Sequence, residues 1–99
     1  MALKLYQEAG VNTQAVILDS NLNTGAAGIL INQQTGENAI NVIPGAAATI
    51  DDKFIDDNLS FIKNSKIFLT QLETSIDATM YALKMAKENG CSTILNPAP

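Results

Sequence analysis

A chain of 99 residues, 46% hydrophobic and 16% charged, holds at most one ordinary folded domain with a modest core. Its net charge of −4, with six lysines and neither arginine nor histidine, argues against a nucleic-acid surface and excludes an imidazole base or a guanidinium clamp. Cys91 is the single cysteine, so no internal disulfide can form. No apolar run approaches the roughly 20 residues that cross a bilayer, and no signal-peptide pattern is seen. We therefore expect a cytoplasmic protein without a membrane partner.

The first part of the chain predicts a helix and then a strand. Residues 2–9 favour a helix that Gly10 would cap, and the lack of an N-cap residue before it suggests that the helix has been cut. Residues 14–18 predict a strand, and the turn-rich residues 20–23 lead on from it.

A hairpin with two apolar faces is predicted next, over residues 23–43, with its turn near Gly36. Side chains alternate along a strand. In the first strand Ala27, Ile29 and Ile31 therefore lie on one face and Ala26, Gly28 and Leu30 on the other. In the return strand Ile40 and Val42 lie on one face and Ala39, Asn41 and Ile43 on the other. A hairpin that faces solvent is normally apolar on one side only. Both faces are therefore expected to meet a core, a ligand or another chain.

The C-terminal half predicts a helix followed by a strand–helix–strand unit. The first helix would start at its N-cap Asp51 and continue to about Lys63. Strands are expected over 66–72 and 91–95, with a helix between them that stops at Gly90 and has a stripe formed by Ile76, Met80, Leu83 and Lys87. Such a unit implies parallel strands and a right-handed crossover. Because parallel sheets usually need several units, the chain is expected to be an internal piece of a larger α/β protein.

An acidic cluster and two polar residues at strand ends are candidates for binding a metal ion or a ligand. Asp51, Asp52, Asp56 and Asp57 lack the third ligand and the loop of a cation site, so no metal ligand is expected among them. Glu73 directly follows a predicted strand, at the position where open α/β sheets bind ligands. The alternative for Glu73 is a favourable interaction with the dipole of the helix that opens at Thr74 or Ser75. Asn96 ends the last strand, where an Asn-Pro turn is the simpler interpretation.

Four short motifs, in this order, resemble the ribokinase family, which belongs to the phosphofructokinase-B (PfkB) type carbohydrate kinases. They are Thr24-Gly25-x-Ala27-x-Ile29, Gly36-Glu37-Asn38-x-Ile40 followed by Gly45-Ala46, Gln71-Leu72-Glu73, and Asn96-Pro97-Ala98-Pro99. The resemblance implies part of a three-layer α/β/α domain with part of a β-sheet lid. Residues of about 14–43 would supply lid strands and residues of about 50–99 the α/β core, while the flanking parts of the domain would lie outside the chain.

The resemblance also implies a sugar site. By position, Ala27, Ile29 and Ile40 would line its apolar side, and Glu73 would accept hydrogen bonds from sugar hydroxyls. No catalytic residue and no metal ligand of the family falls within the chain, because the catalytic base and the ATP site would lie beyond it. Ala47 stands where the family usually has an asparagine.

The implied activity of the intact enzyme is the ATP-dependent phosphorylation of D-ribose to ribose 5-phosphate with Mg²⁺, in a homodimer that pairs through its lid strands. The isolated chain is expected to be inactive and to bind no cofactor. Two alternatives stay open: a kinase of another sugar or of a nucleoside in the same family, and a non-catalytic α/β module that associates with itself through the hairpin.

Overall fold

The computed structural model describes residues 2–98 and contains two separate two-stranded sheets, one antiparallel and one parallel. The elements follow the order α1 (Ala2–Glu8), β1 (Thr24–Ile31), β2 (Asn38–Gly45), a 3₁₀ turn (Ala46–Thr49), α2 (Asp52–Asp57), α3 (Leu59–Lys63), β3 (Ile67–Gln71), α4 (Ile76–Glu88) and β4 (Ser92–Asn96). No helix in this range is long and apolar enough to span a membrane.

Helix α1 ends at the glycine that the sequence predicts as its cap. Gly10 has a φ of 74°, which a residue without Cβ adopts at little cost. The Val11 N–H donates to the Tyr6 carbonyl at 2.8 Å and the Gly10 N–H donates to the Gln7 carbonyl at 3.0 Å. These are the two hydrogen bonds of a Schellman motif, so the predicted helix and its end are confirmed.

The strand predicted over residues 14–18 is wrong. The side chain of Asn12 accepts a hydrogen bond from the Gln14 N–H at 3.0 Å, and the Val16 N–H donates to the Thr13 carbonyl at 3.0 Å. These local bonds compete with extended pairing, and no strand of the described residues pairs with this segment. Its three large apolar side chains are exposed: Val16, Ile17 and Leu18.

The predicted hairpin is confirmed as the antiparallel pair β1–β2. Its turn is closed by Asn32, whose side-chain oxygen accepts from the Gln34 N–H at 2.9 Å and whose carbonyl accepts from the Gly36 N–H at 2.8 Å. Gly36 has a φ of 76°, which explains the glycine at the end of the turn. Strand β2 continues to Gly45 and does not stop before Pro44 as the sequence suggests.

Two glycines form the base of the hairpin, where the strands approach most closely. Gly45 has φ 58° and ψ −141°, a region that is essentially restricted to glycine. A Cβ atom there would meet the Asn23 carbonyl oxygen and lie 2.6 Å from the Gly25 nitrogen, and one at Gly25 would lie 2.6 Å from the Pro44 carbonyl oxygen. The Ala46 N–H then donates to Asn23 at 3.0 Å, and the 3₁₀ turn packs against both strands.

The single helix predicted from Asp51 to Lys63 is wrong, because it is broken at Asn58 into α2 and α3. The predicted N-cap is present, since the Asp51 carboxylate accepts from the Phe54 N–H at 2.8 Å. At the break, the Asn58 side-chain amide donates to the Phe54 carbonyl at 2.9 Å. That carbonyl would accept the backbone N–H of Asn58 in a continuous α-helix, so the side chain replaces one rung of the helical ladder.

The strand–helix–strand unit is confirmed, with β3 and β4 parallel and in register from Ile67↔Ser92 to Gln71↔Asn96. Helix α4 contacts both strands as well as α2 and α3. Its end repeats the motif of α1, because Gly90 has a φ of 83° and the Cys91 N–H donates to the Ala86 carbonyl at 3.0 Å.

The stripe predicted for α4 does not form its buried face. Ile76 and Met80 are 63% and 55% exposed, and the buried residues are Ala78, Thr79, Ala82 and Ala86. Small side chains let the helix backbone approach its neighbours closely. The core is accordingly small: Ile62, Ala86 and Cys91 are buried together, and Ile55, Leu59 and Phe68 pack against them.

We predict that Gly45→Ala destabilises the hairpin by about 2 kcal/mol, because the new Cβ meets backbone atoms and the conformation disfavours any side chain. Amide hydrogen exchange of β1 and β2 should then be about thirtyfold faster. Gly28→Ala is the matched control, since a Cβ at Gly28 has nothing within 4 Å. Equal exchange in the two variants would contradict the role given to Gly45.

Candidate functional site

The hairpin places its three candidate residues on one face. Ile29 lies directly opposite Ile40, and Ala27 lies opposite Val42 in the antiparallel register. Directly opposed residues share a face of the sheet, so Ala27, Ile29 and Ile40 are neighbours, which the resemblance implies and the register supplies. Ile29 is 59% exposed and Ile40 is 57% exposed, so the apolar surface is available to a ligand or a partner.

A second candidate region is an open cleft of about 430 Å³ at the carboxyl ends of β3 and β4. It is lined by Leu69, Thr70, Gln71, Glu73, Thr74 and Asn96. Parallel strands end at the same edge of their sheet, which is why residues that are more than twenty positions apart meet here. The Leu72 N–H donates to the Ala98 carbonyl at 3.1 Å and ties together the segments that leave the two strands.

The loop that carries Glu73 is held at its helical end by hydroxyl groups. The Thr79 hydroxyl donates to the Ser75 carbonyl at 2.8 Å and lies 2.9 Å from the Thr74 hydroxyl. The Ser75 side chain caps α4 by accepting from the Ala78 N–H at 3.4 Å. Thr79 is 3% exposed, so this network lies in the packed part of the molecule and restricts the loop.

Glu73 itself is exposed and takes part in neither of the two ion pairs of the described residues. An ionised carboxylate has two acceptor oxygens and no donor, which suits it to neighbouring hydroxyl groups of a ligand. Its place just before the N-terminus of α4 is equally compatible with an interaction with the helix dipole.

The structure does not bring the two regions together in one cleft. The residues that line the cleft of Glu73 include none of Ala27, Ile29 and Ile40. The sequence motifs therefore belong to two surfaces of this chain, the apolar face of the hairpin and the polar edge of the parallel sheet. Gln71 and Thr74 line the cleft without having been singled out as site residues. The sequence could have indicated Gln71, because Leu69, Gln71 and Glu73 are two positions apart at the end of one strand, a spacing that puts side chains on the same side.

A larger open cleft, of about 500 Å³, lies between residues 15–19, the 3₁₀ turn and α2. Its charged groups are already paired: Asp51 caps α2, and Asp57 accepts a hydrogen bond from Lys53. This hydrogen bond and the charge of Asp57 raise the pKa of Lys53. The cleft therefore offers mainly apolar surface.

The acidic residues around α2 serve contacts within the fold. The Tyr81 hydroxyl donates to the Asp56 carboxylate at 2.8 Å and links α4 to α2, which raises the pKa of Tyr81. Asp56 and Asp57 each accept a hydrogen bond from another side chain. Among residues 2–98 no group of three or more His, Cys, Asp or Glu side chains is arranged to hold a metal ion.

Two curated relatives are similar to the chain over most of its length. A ribokinase from Dictyostelium discoideum is 39% identical over 98 residues, which are 98% of this chain and 30% of the relative. A deoxyribokinase from Salmonella typhi is 30% identical over 90 residues, which are 91% of this chain and 29% of the relative. The chain thus spans about a third of the length of these proteins.

Solved structures show the same fold. The structure of a ribokinase from Giardia lamblia matches with a TM-score of 0.80 and 26% identity, over 99% of this chain and 31% of that one. The structure of an Arabidopsis thaliana ribokinase complexed with ribose and ATP matches with a TM-score of 0.72 and 28% identity, over 99% of this chain and 33% of that one. The predicted α/β, ribokinase-like fold class is therefore confirmed.

The family follows from the match of a whole-family model with this sequence. The model described as pfkB family carbohydrate kinase covers residues 1–99, and the chain therefore belongs to the pfkB family of carbohydrate kinases.

Proposed function

We propose that the protein to which this chain contributes transfers the terminal phosphoryl group of ATP to D-ribose, giving ribose 5-phosphate. The observation that carries the proposal is the exposed Glu73 at the carboxyl edge of the parallel sheet, in a chain of the pfkB family. Two similar proteins support ribose as the sugar: the Dictyostelium ribokinase, and the Arabidopsis ribokinase whose structure holds ribose and ATP.

Glu73 would orient the sugar by accepting hydrogen bonds from two neighbouring hydroxyl groups. Hydrogen bonds to a charged group contribute about 1.5–3 kcal/mol each, and a carboxylate on a loop held at both ends loses little freedom on binding. The Leu72 bond to Ala98 and the hydroxyl network at Thr79 hold that loop in place. Positioning of this kind lowers the barrier because the attacking hydroxyl is already aligned.

The hairpin would act as a cover for the sugar. Its face of Ala27, Ile29 and Ile40 would pack against the C–H side of the ring and exclude water, which otherwise competes with the sugar as the phosphoryl acceptor. Burying one isoleucine side chain stabilises a closed state by roughly 1.5–3 kcal/mol. The backbones approach closely at Gly25 and Gly45, so the base of the hairpin has a defined geometry and would hold the two strands in place.

ATP and Mg²⁺ belong to the proposal for the intact enzyme. ATP supplies the phosphoryl group, and phosphoryl transfer also needs Mg²⁺ and a base for the attacking hydroxyl. The family resemblance puts the metal, the nucleotide and the base outside these 99 residues, and the part that we assign to this chain is binding and covering the sugar.

The opposite face of the hairpin supports a homodimer as part of the proposal. Leu30 is 75% exposed and Ile43 is 64% exposed, on the side away from Ile29 and Ile40. In the intact enzyme this face would pack against the lid of a second subunit. The same face underlies the non-catalytic alternative, in which the hairpin only mediates self-association.

A second candidate function is the phosphorylation of a different sugar of similar size. The similarity to the Salmonella typhi deoxyribokinase favours it, because that relative is also about 30% identical over most of this chain. One carboxylate and an apolar face do not define the number of hydroxyl groups on the ring. The sugar preference is therefore a matter for measurement with both substrates.

Replacing Glu73 with glutamine should weaken ribose binding about tenfold to hundredfold in the full-length protein, because a charged acceptor is lost while the shape is kept. Isothermal titration with ribose measures this change. Glu88→Gln, at the distant end of α4, is the matched control and should leave the affinity unchanged. An unchanged affinity in Glu73→Gln would remove this residue from the site and favour its role as a helix-dipole partner.

The isolated chain of residues 1–99 should show no ribose-dependent release of ADP from Mg-ATP. The reason is that neither a catalytic base nor a nucleotide site is expected among its residues. A coupled assay for ADP, with full-length enzyme as the positive control, tests this. Turnover above background that rises with the concentration of the 99-residue chain would contradict the proposal that the base and the nucleotide site lie outside it.

Charged substitutions on the two faces of the hairpin should have different effects in the full-length protein. Leu30→Lys should convert a dimer into monomers, because a lysine cannot be buried against another subunit without loss of hydration. Ile29→Lys, on the opposite face, should weaken ribose binding and leave the dimer intact. Sedimentation and ribose titration distinguish these results. A wild-type monomer, or a dimer that survives Leu30→Lys, would contradict pairing through this face.

A further inference from the structure

The cleft of Glu73 contains a second polar group that the function proposed above does not use. Asn96 is the last residue of β4 and lies in register with Gln71, the last residue of β3. Both line the same cleft as Glu73. Neighbouring strands are about 4.8 Å apart, so an amide at Asn96 and a carboxylate two residues beyond Gln71 border one small space.

Asn96 does not serve the turn that its sequence context suggests. The turns of this chain have a recognisable signature, in which a side-chain oxygen accepts the N–H two residues further on. It is present at Asn12 with Gln14 (3.0 Å), at Asp19 with Asn21 (2.7 Å) and at Asn32 with Gln34 (2.9 Å).

Asn96 differs from Asn12, Asp19 and Asn32 in that its side chain closes no turn within the described residues. Asn96 remains in the extended ladder of β4, and within residues 2–98 its side chain forms no such bond to the residues that follow. It is also exposed, so it does not support the core. The Asn-Pro turn was the simpler interpretation of the sequence, and as far as Ala98 no side-chain hydrogen bond of Asn96 closes such a turn.

The chemistry of an amide complements that of Glu73. A carboxylate accepts hydrogen bonds but donates none, whereas an asparagine side chain has an N–H₂ donor and a carbonyl acceptor. A sugar hydroxyl both donates and accepts. A hydroxyl that donates to Glu73 therefore needs a donor for its lone pairs, and the amide at the end of the neighbouring strand is placed to supply one.

We propose that Asn96 is a second sugar-contacting residue, whose amide donates a hydrogen bond to a hydroxyl of the sugar that Glu73 binds. This inference rests on the proposed function and adds to it a residue that selects for the presence of one hydroxyl group. A site built to bond a hydroxyl discriminates against the sugar that lacks it, because its polar group is then left without a partner.

The test compares Asn96→Ala with the wild type in the full-length kinase that carries this sequence. Its kcat/KM is measured for D-ribose and for a series of ribose analogues that each lack one hydroxyl other than the phosphoryl acceptor. We expect Asn96→Ala to lower kcat/KM for ribose about tenfold through KM. We also expect the ratio between wild type and variant to fall to near one for the analogue that lacks the contacted hydroxyl. The KM for ATP should not change.

Ser92→Ala is the matched control, because Ser92 is an exposed residue of the same strand and the same face but lies at the end away from the cleft. It should leave all these constants unchanged. Asn96→Leu keeps nearly the size and shape of the side chain and removes its hydrogen-bonding groups without adding a charge beside Glu73, so it gives the same test if the alanine variant does not fold.

Three results would overturn the inference alone, provided that the wild type phosphorylates ribose and Glu73→Gln weakens ribose binding. They are an unchanged kcat/KM in Asn96→Ala, an equal loss for ribose and for every analogue, and a change confined to the KM for ATP. A wild-type enzyme that does not act on ribose would instead remove the proposed function and this inference with it.

Discussion

The parallel pairing of β3 with β4 is the constraint on which the candidate site depends. It places Glu73 and Asn96 at one edge although they are far apart in the sequence. Helix α4, which links the two strands, packs against both of them and buries small side chains: Ala78, Ala82 and Ala86 are at most 3% exposed. Larger side chains on this face would hold the helix further from the strands and leave gaps, which the packing density of protein interiors does not tolerate.

The same arrangement explains why so much apolar surface remains exposed. Helix α4 covers the side of the sheet that carries Phe68 and Thr70, and the side that carries Ile67, Leu69 and Ile94 is open to solvent. The hairpin likewise leaves both of its faces uncovered. Burial of any of these apolar surfaces against further protein or a ligand would be favourable. The chain that exposes these surfaces spans about a third of its relatives' length.

The local features of the fold were predictable because they depend on short-range chemistry. The glycines at positions 10, 36 and 90 mark ends and turns where a positive φ is needed, and the N-cap at Asp51 follows from one side-chain hydrogen bond. The predictions failed where a local hydrogen bond competed with the pattern. The turn at Asn12 replaced a strand, and the amide of Asn58 broke a helix whose apolar spacing was otherwise regular. For the site, the sequence singled out the residues of the hairpin face and Glu73, and it put Asn96 at the end of a strand, as it did Glu73, but favoured an Asn-Pro turn for that asparagine.

The sequence by itself determined the alternation that puts Ala27 and Ile29 on one face of their strand, the strand–helix–strand unit and the family, because these are properties of neighbouring residues and of motifs in order. Only the tertiary structure decided which face of α4 is buried and in which register the ends of β3 and β4 meet. Periodicity favoured the stripe of Ile76 and Met80, yet the face that packs against the neighbouring elements carries small residues. The parallel register then brought two distant strand ends to one edge, and a pairing of that kind is a property of the folded chain as a whole.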